Sequence, residues 1–264
     1  MRFVRPASLA LILALATPAA AESVYSPDFA AATLARDIPG LSPQAQAAIL
    51  ARIGTMETVS PIRSEDGEDI AEANAFLVSP CYALVNEHAA VGDNAEQRDD
   101  RAVRLKFGGG GWVKGRVVRY DAPRDYALIR IDSCPGRSLG WLAPDTRSPK
   151  ALGGEELFMA GFRFDDNDRP TLTIARCRAR RPVEADGAHA DWIHDDCPSE
   201  DGVSGSALLT TADGEVKVAA LHVGVFPGDE PRFGVALSLA SVLADPDVAA
   251  LIDADLESAP PRSD

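Results

Sequence analysis

Two hydrophobic rhythms divide this chain. From about residue 70, short runs rich in Val, Leu, Ile and aromatics alternate with clusters of turn formers. The runs are 75–78, 83–85, 102–107, 116–120, 126–131, 157–161, 172–177, 207–209, 216–225 and 234–237. About ten short strands at such spacing predict an all-β sandwich or barrel. Residues 22 to about 55 follow a helical period instead. Ser42 and Pro43 read as an N-cap with proline at the first helical position; Ala45, Ala48, Ile49 and Ile53 recur at helical spacing, and Gly54 ends the run. This segment is expected either to pack on the main domain or to be a propeptide. Helical period returns over 239–251 and predicts a closing helix. The four glycines at 108–111 precede a strand-like segment, which predicts a hairpin turn and not a phosphate loop.

The N-terminus changes this picture. Arg2 and Arg5 precede the apolar run 9–16, followed by Pro18 and Ala19-Ala20-Ala21. The pattern is that of a secretory signal cleaved after Ala21. The apolar run is too short for a membrane anchor, which needs about 20 such residues. No later segment is long and apolar enough to span, so a soluble, secreted or periplasmic protein with no membrane association after cleavage is expected.

Of 264 residues, 46% are hydrophobic, enough for a sizeable core in one large domain or two small ones. The net charge of −14 becomes more negative once Arg2 and Arg5 are removed. Such a surface repels phosphate backbones and argues against nucleic-acid partners. Four cysteines, Cys81, Cys134, Cys177 and Cys197, in an exported chain imply two disulfides; three pairings are open. No C-x-x-C occurs, which argues against zinc and against thioredoxin-like chemistry. His189 and His194 flank Trp192 and read as surface residues, not metal ligands.

Three segments carry candidate chemistry. In 75–88 two strand-like runs, joined by Ser79-Pro80, end at His88. In 121–132 Asp125 stands immediately before an apolar strand. In 201–209 Ser204 is flanked by Gly202 and Gly205. Each alone has a bland reading: a surface histidine, a turn aspartate, a Gly/Ser-rich turn. Together they fit nucleophilic catalysis. Serine needs a base to remove its proton, histidine serves near neutral pH, and an aspartate fixes the imidazole tautomer. Small residues around the serine let a peptide carbonyl approach and leave backbone N–H groups to meet the developing oxyanion. Ser206 is a weaker nucleophile candidate, because no glycine stands two residues before it.

These segments resemble trypsin-like serine proteases, especially the bacterial glutamyl-endopeptidase-like and HtrA-like branches. FLVSPCYALVNEH resembles the approach to the catalytic histidine, GRVVRYDAPRDYALIRID the segment bearing the aspartate, and DGVSGSALL the nucleophile loop. EVKVAALHVGV looks like the strand lining the specificity pocket, and RFGVALSLASVL like the last strand and C-terminal helix. The likeness covers roughly residues 70–250. It implies two six-stranded antiparallel barrels of the chymotrypsin-like type, with a short helical N-terminal segment and a C-terminal helix. His88 and Asp125 would come from the first barrel and Ser204 from the second, with an oxyanion hole from the N–H groups of Gly202 and Ser204. Substrate would lie along His222, Val223 and Gly224. His222 matches a histidine that binds substrate glutamate in glutamyl endopeptidases; the other reading is a buried or merely pocket-lining residue. The resemblance also suggests the disulfides Cys81–Cys134 and Cys177–Cys197.

Departures from the family pattern stand at two positions. Glu87 precedes the histidine, where its carboxylate would raise the pKa of His88 or point into solvent. Val203 replaces the aspartate that pairs with a new N-terminus in digestive trypsins, so Arg52-Ile53-Gly54 is not expected to be an activation site. The expected layout is a signal at 1–21, a helical segment or propeptide at 22–60, and a protease domain at 61–252. The barrels would fall at about 61–145 and 150–240, with a disordered tail at 253–264 and no PDZ domain. The expected function is an exported serine endopeptidase acting on protein or peptide, a monomer without cofactor. The alternative is a secreted binding module that keeps the fold and an idle triad.

Overall fold

The computed structural model describes residues 37–64, 67–91, 102–164, 170–180, 190–200, 202–211, 214–225 and 233–259. The expected signal segment, His189, Asp201 and the last five residues lie outside them. Among the described residues no helix is long and apolar enough to cross a membrane.

The first half closes on itself. Strands β1 (Ile53–Ser64), β2 (Gly67–Leu77), β3 (Tyr82–Val85), β4 (Ala102–Phe107), β5 (Val113–Asp121) and β6 (Tyr126–Ile131) form a closed antiparallel barrel in the order β1-β2-β3-β6-β5-β4. Alternation explains it. Ala73, Ala75 and Leu77, Val103, Leu105 and Phe107, and Ala127, Ile129 and Ile131 point inward with Met56 and Val85 to fill the barrel. The intervening Phe76, Leu84, Tyr126 and Leu128 face outward and join the core shared with the second half.

The second half contains β7 (Ala143–Pro144), β8 (Glu156–Phe164), β9 (Pro170–Arg178), β10 (Trp192–Asp195), β11 (Ala207–Thr210), β12 (Lys217–Val225) and β13 (Gly234–Ser238). Their order is β10-β13-β12-β11-β8-β9, with β7 parallel to β12. The ends of that path meet at the Ala179–Asp195 bridge, where Arg180 N–H also donates to the His194 carbonyl at 2.7 Å. Leu157, Met159, Ala175, Ile193, Leu208, Ala220 and Ala236 fill its interior. This is the all-β, chymotrypsin-like double-barrel arrangement that the sequence implies.

The differences lie where apolar alternation is weak. β1 reads as polar, yet Thr55 and Thr58 are buried beside Ile53 and Met56. Gly54 does not stop a helix; it lets β1 run close to β4, since a Cβ there would stand 2.2 Å from the Lys106 carbonyl oxygen. The first barrel therefore begins at Ile53, ahead of the boundary near residue 61. The preceding helix α1 (Pro43–Leu50) is capped as expected, the Ala45 N–H donating to Ser42 Oγ at 3.2 Å. Ile38 and Ile49 are buried in the shared core, so the chain from Ile38 onward packs on the main domain. His194, expected at the surface, is half-buried: it lies on β10, which lacked a recognisable apolar pattern, and its ring packs 4.6 Å from that of Phe233.

Short helices α2 (Glu87–Ala90), α3 (Gly136–Leu139) and α4 (Pro149–Leu152) punctuate the connections. The closing helix is two, α5 (Leu239–Leu243) and α6 (Pro246–Glu257), broken where Asp245 caps α6 ahead of Pro246. Residues 253–257, expected in the tail, are thus helical. Both aspartates of α6's inner side tie it to the first barrel. Asp245 accepts from Tyr126 Oη at 2.8 Å and Arg119 Nε at 3.1 Å; Asp255 accepts from Ser79 Oγ at 2.6 Å and the Cys81 N–H at 2.7 Å. Disulfides join Cys81 to Cys134 and Cys177 to Cys197.

Candidate active site

His88 is presented by the end of β3. Asn86 ends the strand, Glu87 opens α2, and Ala89 and Ala90 bury the helix against the barrel, leaving the His88 ring about half exposed. Glu87 is buried, not turned to solvent. Pairing of Val85 with Ala127 brings the β5–β6 turn alongside, and with it Asp125. Asp125 has φ 52°, a left-handed conformation that aspartate tolerates through local hydrogen bonds. Its Oδ1 accepts the His88 backbone N–H at 2.9 Å, and its Oδ2 lies 2.7 Å from His88 Nδ1. Asn86 Nδ2 reaches the Asp125 carbonyl at 3.2 Å and Oδ2 at 3.3 Å. Two contacts to one carboxylate fix both ends of the His88–Asp125 pair and direct His88 Nε2 away from the aspartate. Sequence reasoning missed Asn86; its signal was a polar residue closing an apolar strand.

Ser204 sits in the loop between β10 and β11. The loop's carbonyls are drawn inward. Asn74 Nδ2 donates to Gly202 O at 3.0 Å and Asn74 N–H to Ser204 O at 2.7 Å. Val203 O accepts from Ser206 N–H at 3.1 Å and from Ser206 Oγ at 2.7 Å. A trans peptide points its N–H opposite its carbonyl. With Val203 O held inward, the Ser204 N–H faces outward. Among the described residues neither the Gly202 nor the Ser204 N–H finds an acceptor. Gly202 has φ +86° and Gly205 φ +82°, and a Cβ on Gly205 would stand 2.0 Å from the Asn74 carbonyl oxygen. Ser206 is buried by these contacts, so it is not an exposed hydroxyl. The Ile53 end of Arg52-Ile53-Gly54 is equally buried at the start of β1, and Val203 is buried with no charge to offer a new N-terminus.

His88 and Ser204 line one cavity of about 430 Å³ together with Glu72, Ser199, Gly202 and the segment 223–225. Ser204 Oγ donates to the Val223 carbonyl at 3.4 Å. Beyond Leu221, β12 outruns its partner β11, and Val223, Gly224 and Val225 border the cavity there. His222 stands behind this wall, not on it. It is fully buried, with Nε2 3.0 Å from Ser199 Oγ, and burial pushes its pKa down to about 4. A neutral ring at physiological pH therefore meets the cavity only through Ser199. Glu200, on the same rim, is held by the Arg163 guanidinium.

The chain is similar to solved structures of this fold. It aligns with the HtrA-type protease AlgW with tripeptide at 16% identity and TM-score 0.55, over 76% of this chain and 62% of that one. It thus spans under two thirds of that protease's length. It aligns with the active form of the Rv3671c protease from M. tuberculosis at 18% identity and TM-score 0.55, over 99% of this chain and 97% of that one. The inactive form of the same protease gives 20% and 0.52, over 83% and 98%. No curated protein matches the sequence. The family model for the trypsin-like peptidase domain matches residues 73–219, a span running from β2 through the candidate nucleophile into β12, and the chain belongs to that family.

Proposed function

We propose that this chain is an exported serine endopeptidase, with Ser204 as nucleophile, His88 as general base and Asp125 as the residue that orients and stabilises the imidazolium. The observation that carries the reading is the shared cavity. It joins an imidazole already bonded to a carboxylate with a serine whose own N–H and that of Gly202 find no acceptor among the described residues.

The chemistry follows from the geometry. Asp125 accepts from Nδ1, which leaves Nε2 to take the proton of Ser204 once the hydroxyl turns from the Val223 carbonyl. Ser204 Oγ attacks the scissile carbonyl, and the oxygen that becomes anionic is met by the N–H groups of Gly202 and Ser204. His88 then gives its proton to the leaving amine, and water repeats the cycle on the acyl-enzyme. A peptide would add as a strand to the open edge at Val223–Gly224. His222 contributes by orienting Ser199, the polar group that the cavity wall presents beside it. The apolar run 9–16 ahead of Ala21 and the two disulfides support export to an oxidising compartment.

Ser204→Ala is expected to abolish peptide hydrolysis without changing the circular dichroism spectrum. Hydrolysis by the purified variant would remove Ser204 from the role. A fluorophosphonate probe is expected to label Ser204 in the wild type; a folded protein that resists labelling would favour the idle binding module.

A further inference from the structure

Building on that reading, we infer that Asn74, on the first barrel, is a positioning residue for the oxyanion hole of the second. Asn74 is fully buried on β2, and its side chain is saturated by the second barrel. Nδ2 donates to Phe162 O and Gly202 O, each at 3.0 Å, and Oδ1 accepts from the Phe162 N–H at 2.5 Å. Its main-chain N–H holds Ser204 O. One residue therefore grips the carbonyls at both ends of the Gly202–Val203–Ser204 segment.

The grip matters because within the loop Ser206 holds only the Val203 carbonyl, leaving those of Gly202 and Ser204 to Asn74. Val203, behind the nucleophile, is apolar and buried and forms no ion pair. Gly202, with φ +86°, has no Cβ to restrict its dihedrals. Released from Asn74, its carbonyl would be a buried acceptor seeking another partner, and the Gly202 peptide would turn to find one. The N–H of that peptide is Val203's, which donates to Glu200 O at 3.3 Å; its rotation changes ψ of Gly202 and φ of Val203 and so swings the flanking peptides that carry the Gly202 and Ser204 N–H groups. Phe162, at the end of β8 beside Gly161, ties the same amide to the barrel frame, so the loop is registered against two strands at once. The fit is close: a Cβ on Gly205 would collide with the Asn74 carbonyl, and one on Gly161 would crowd Asn74 Oδ1 at 3.1 Å.

Substituting the side chain leaves the Asn74 backbone bond to Ser204 in place and removes the hold on Gly202 together with the side-chain tie to Phe162. Asn74→Asp keeps size and shape but replaces the donor with an acceptor facing two carbonyls; Asn74→Ala removes it outright. The test compares a tripeptide aldehyde, whose hemiacetal with Ser204 places an oxygen in the hole, with the matching tripeptide alcohol, which forms no such adduct. For both variants aldehyde affinity is expected to fall about 100-fold, the order of losing one oxyanion donor. Alcohol affinity and KM should stay within about threefold, and kcat should fall with the aldehyde. A loss shared equally by aldehyde and alcohol, or an aldehyde affinity within threefold of wild type, would overturn the role. If Asn74→Ala does not fold, Asn74→Asp decides alone, its fold checked by thermal unfolding; failure of both to fold would itself overturn the role and leave Asn74 a structural residue. Ser204→Ala separates the two levels. Should that variant keep turnover, the reading of the site falls and this role with it. Should it be inert while Asn74→Asp binds aldehyde normally, only the role of Asn74 falls.

Discussion

Gly205→Ala is the sharpest probe of how the nucleophile loop is held. Two costs arise from the geometry. The backbone at Gly205 has φ +82°, where an alanine costs about 1–2 kcal/mol. The new methyl would lie 2.0 Å from the Asn74 carbonyl oxygen, whereas side-chain carbons essentially never approach within 3.0 Å. The loop must therefore retreat by about 1 Å, which stretches the 2.7 Å bond from Asn74 N–H to Ser204 O beyond hydrogen-bond range at a cost of about 1 kcal/mol. A total near 2–3 kcal/mol lowers Tm by about 5–10 °C in a chain of this size. The same retreat displaces Ser204 and its N–H, and an error of about 1 Å at a reacting centre costs about 100-fold in rate. Steady-state peptide hydrolysis and thermal unfolding measure both. Gly214→Ala is the control: φ is +77°, but no atom lies within 4 Å of its Cβ, so it should lose stability alone. A Gly205→Ala enzyme with kcat within threefold of wild type, or a control equally impaired, would refute the reasoning.

Asp125→Asn should lower kcat by about 10,000-fold with little change in KM, because an amide no longer stabilises the imidazolium and favours the wrong tautomer; a loss under tenfold in steady-state assays would exclude Asp125 from the triad. Asp195 predicts a pH effect on stability. Burial pushes its pKa up to about 7, against a partial offset from the Cys197 N–H at 2.9 Å, while the unfolded value is about 4. The folded state thus holds an extra proton between pH 4 and 7, and stability from this group falls as pH rises through that window. Asp195→Asn should leave Tm unchanged at pH 4 and raise it at pH 8; no gain at pH 8 in thermal unfolding would refute this.

What the sequence made legible was what short-range pattern encodes. The apolar-rich runs at 102–107 and 126–131 marked β4 and β6 to the residue, since both line a closed barrel. β1 escaped because its buried positions include Thr55 and Thr58, which a hydrophobic pattern scores as polar. α6 ran past its expected end because its later turns are anchored by a buried carboxylate, Asp255, and not by apolar residues alone. At the candidate site, motifs singled out His88, Asp125 and Ser204, and the structure brings the first two together and sets Ser204 on the same cavity as His88. Asn86, Asn74 and Ser199 were not singled out, because each acts through a bond to a residue distant in sequence. Asn74 and Gly202 are 128 positions apart. His222 was legible as a candidate, but its place behind Ser199 depends on a bond between β12 and the segment after β10.

Long-range bonds also explain how a cleft between two barrels can be held exact enough for the proposed chemistry. Each barrel is held by its own strand pairing, so the cleft depends on how one is fixed against the other. Three ties oppose sliding at separate points. Asn74 links β2 to the nucleophile loop and to β8 beside the cavity. The shared core, with Phe76, Tyr126, Phe158 and Leu221, fills the middle. Helix α6, which follows the last strand of the second barrel, returns to the first through Asp245 and Asp255. Asp245 would be pushed up by burial, but bonds from Tyr126, the Asp247 N–H and Arg119 outweigh it and hold the carboxyl below its usual range. It therefore remains ionised at neutral pH and keeps its grip on the first barrel. A sliding motion that opened the cleft would have to break buried, charge-assisted bonds at α6 while dragging Gly202 off Asn74. The geometry of the candidate site is thus fixed by several separate contacts between the barrels, of which only the one nearest Ser204 touches the proposed chemistry.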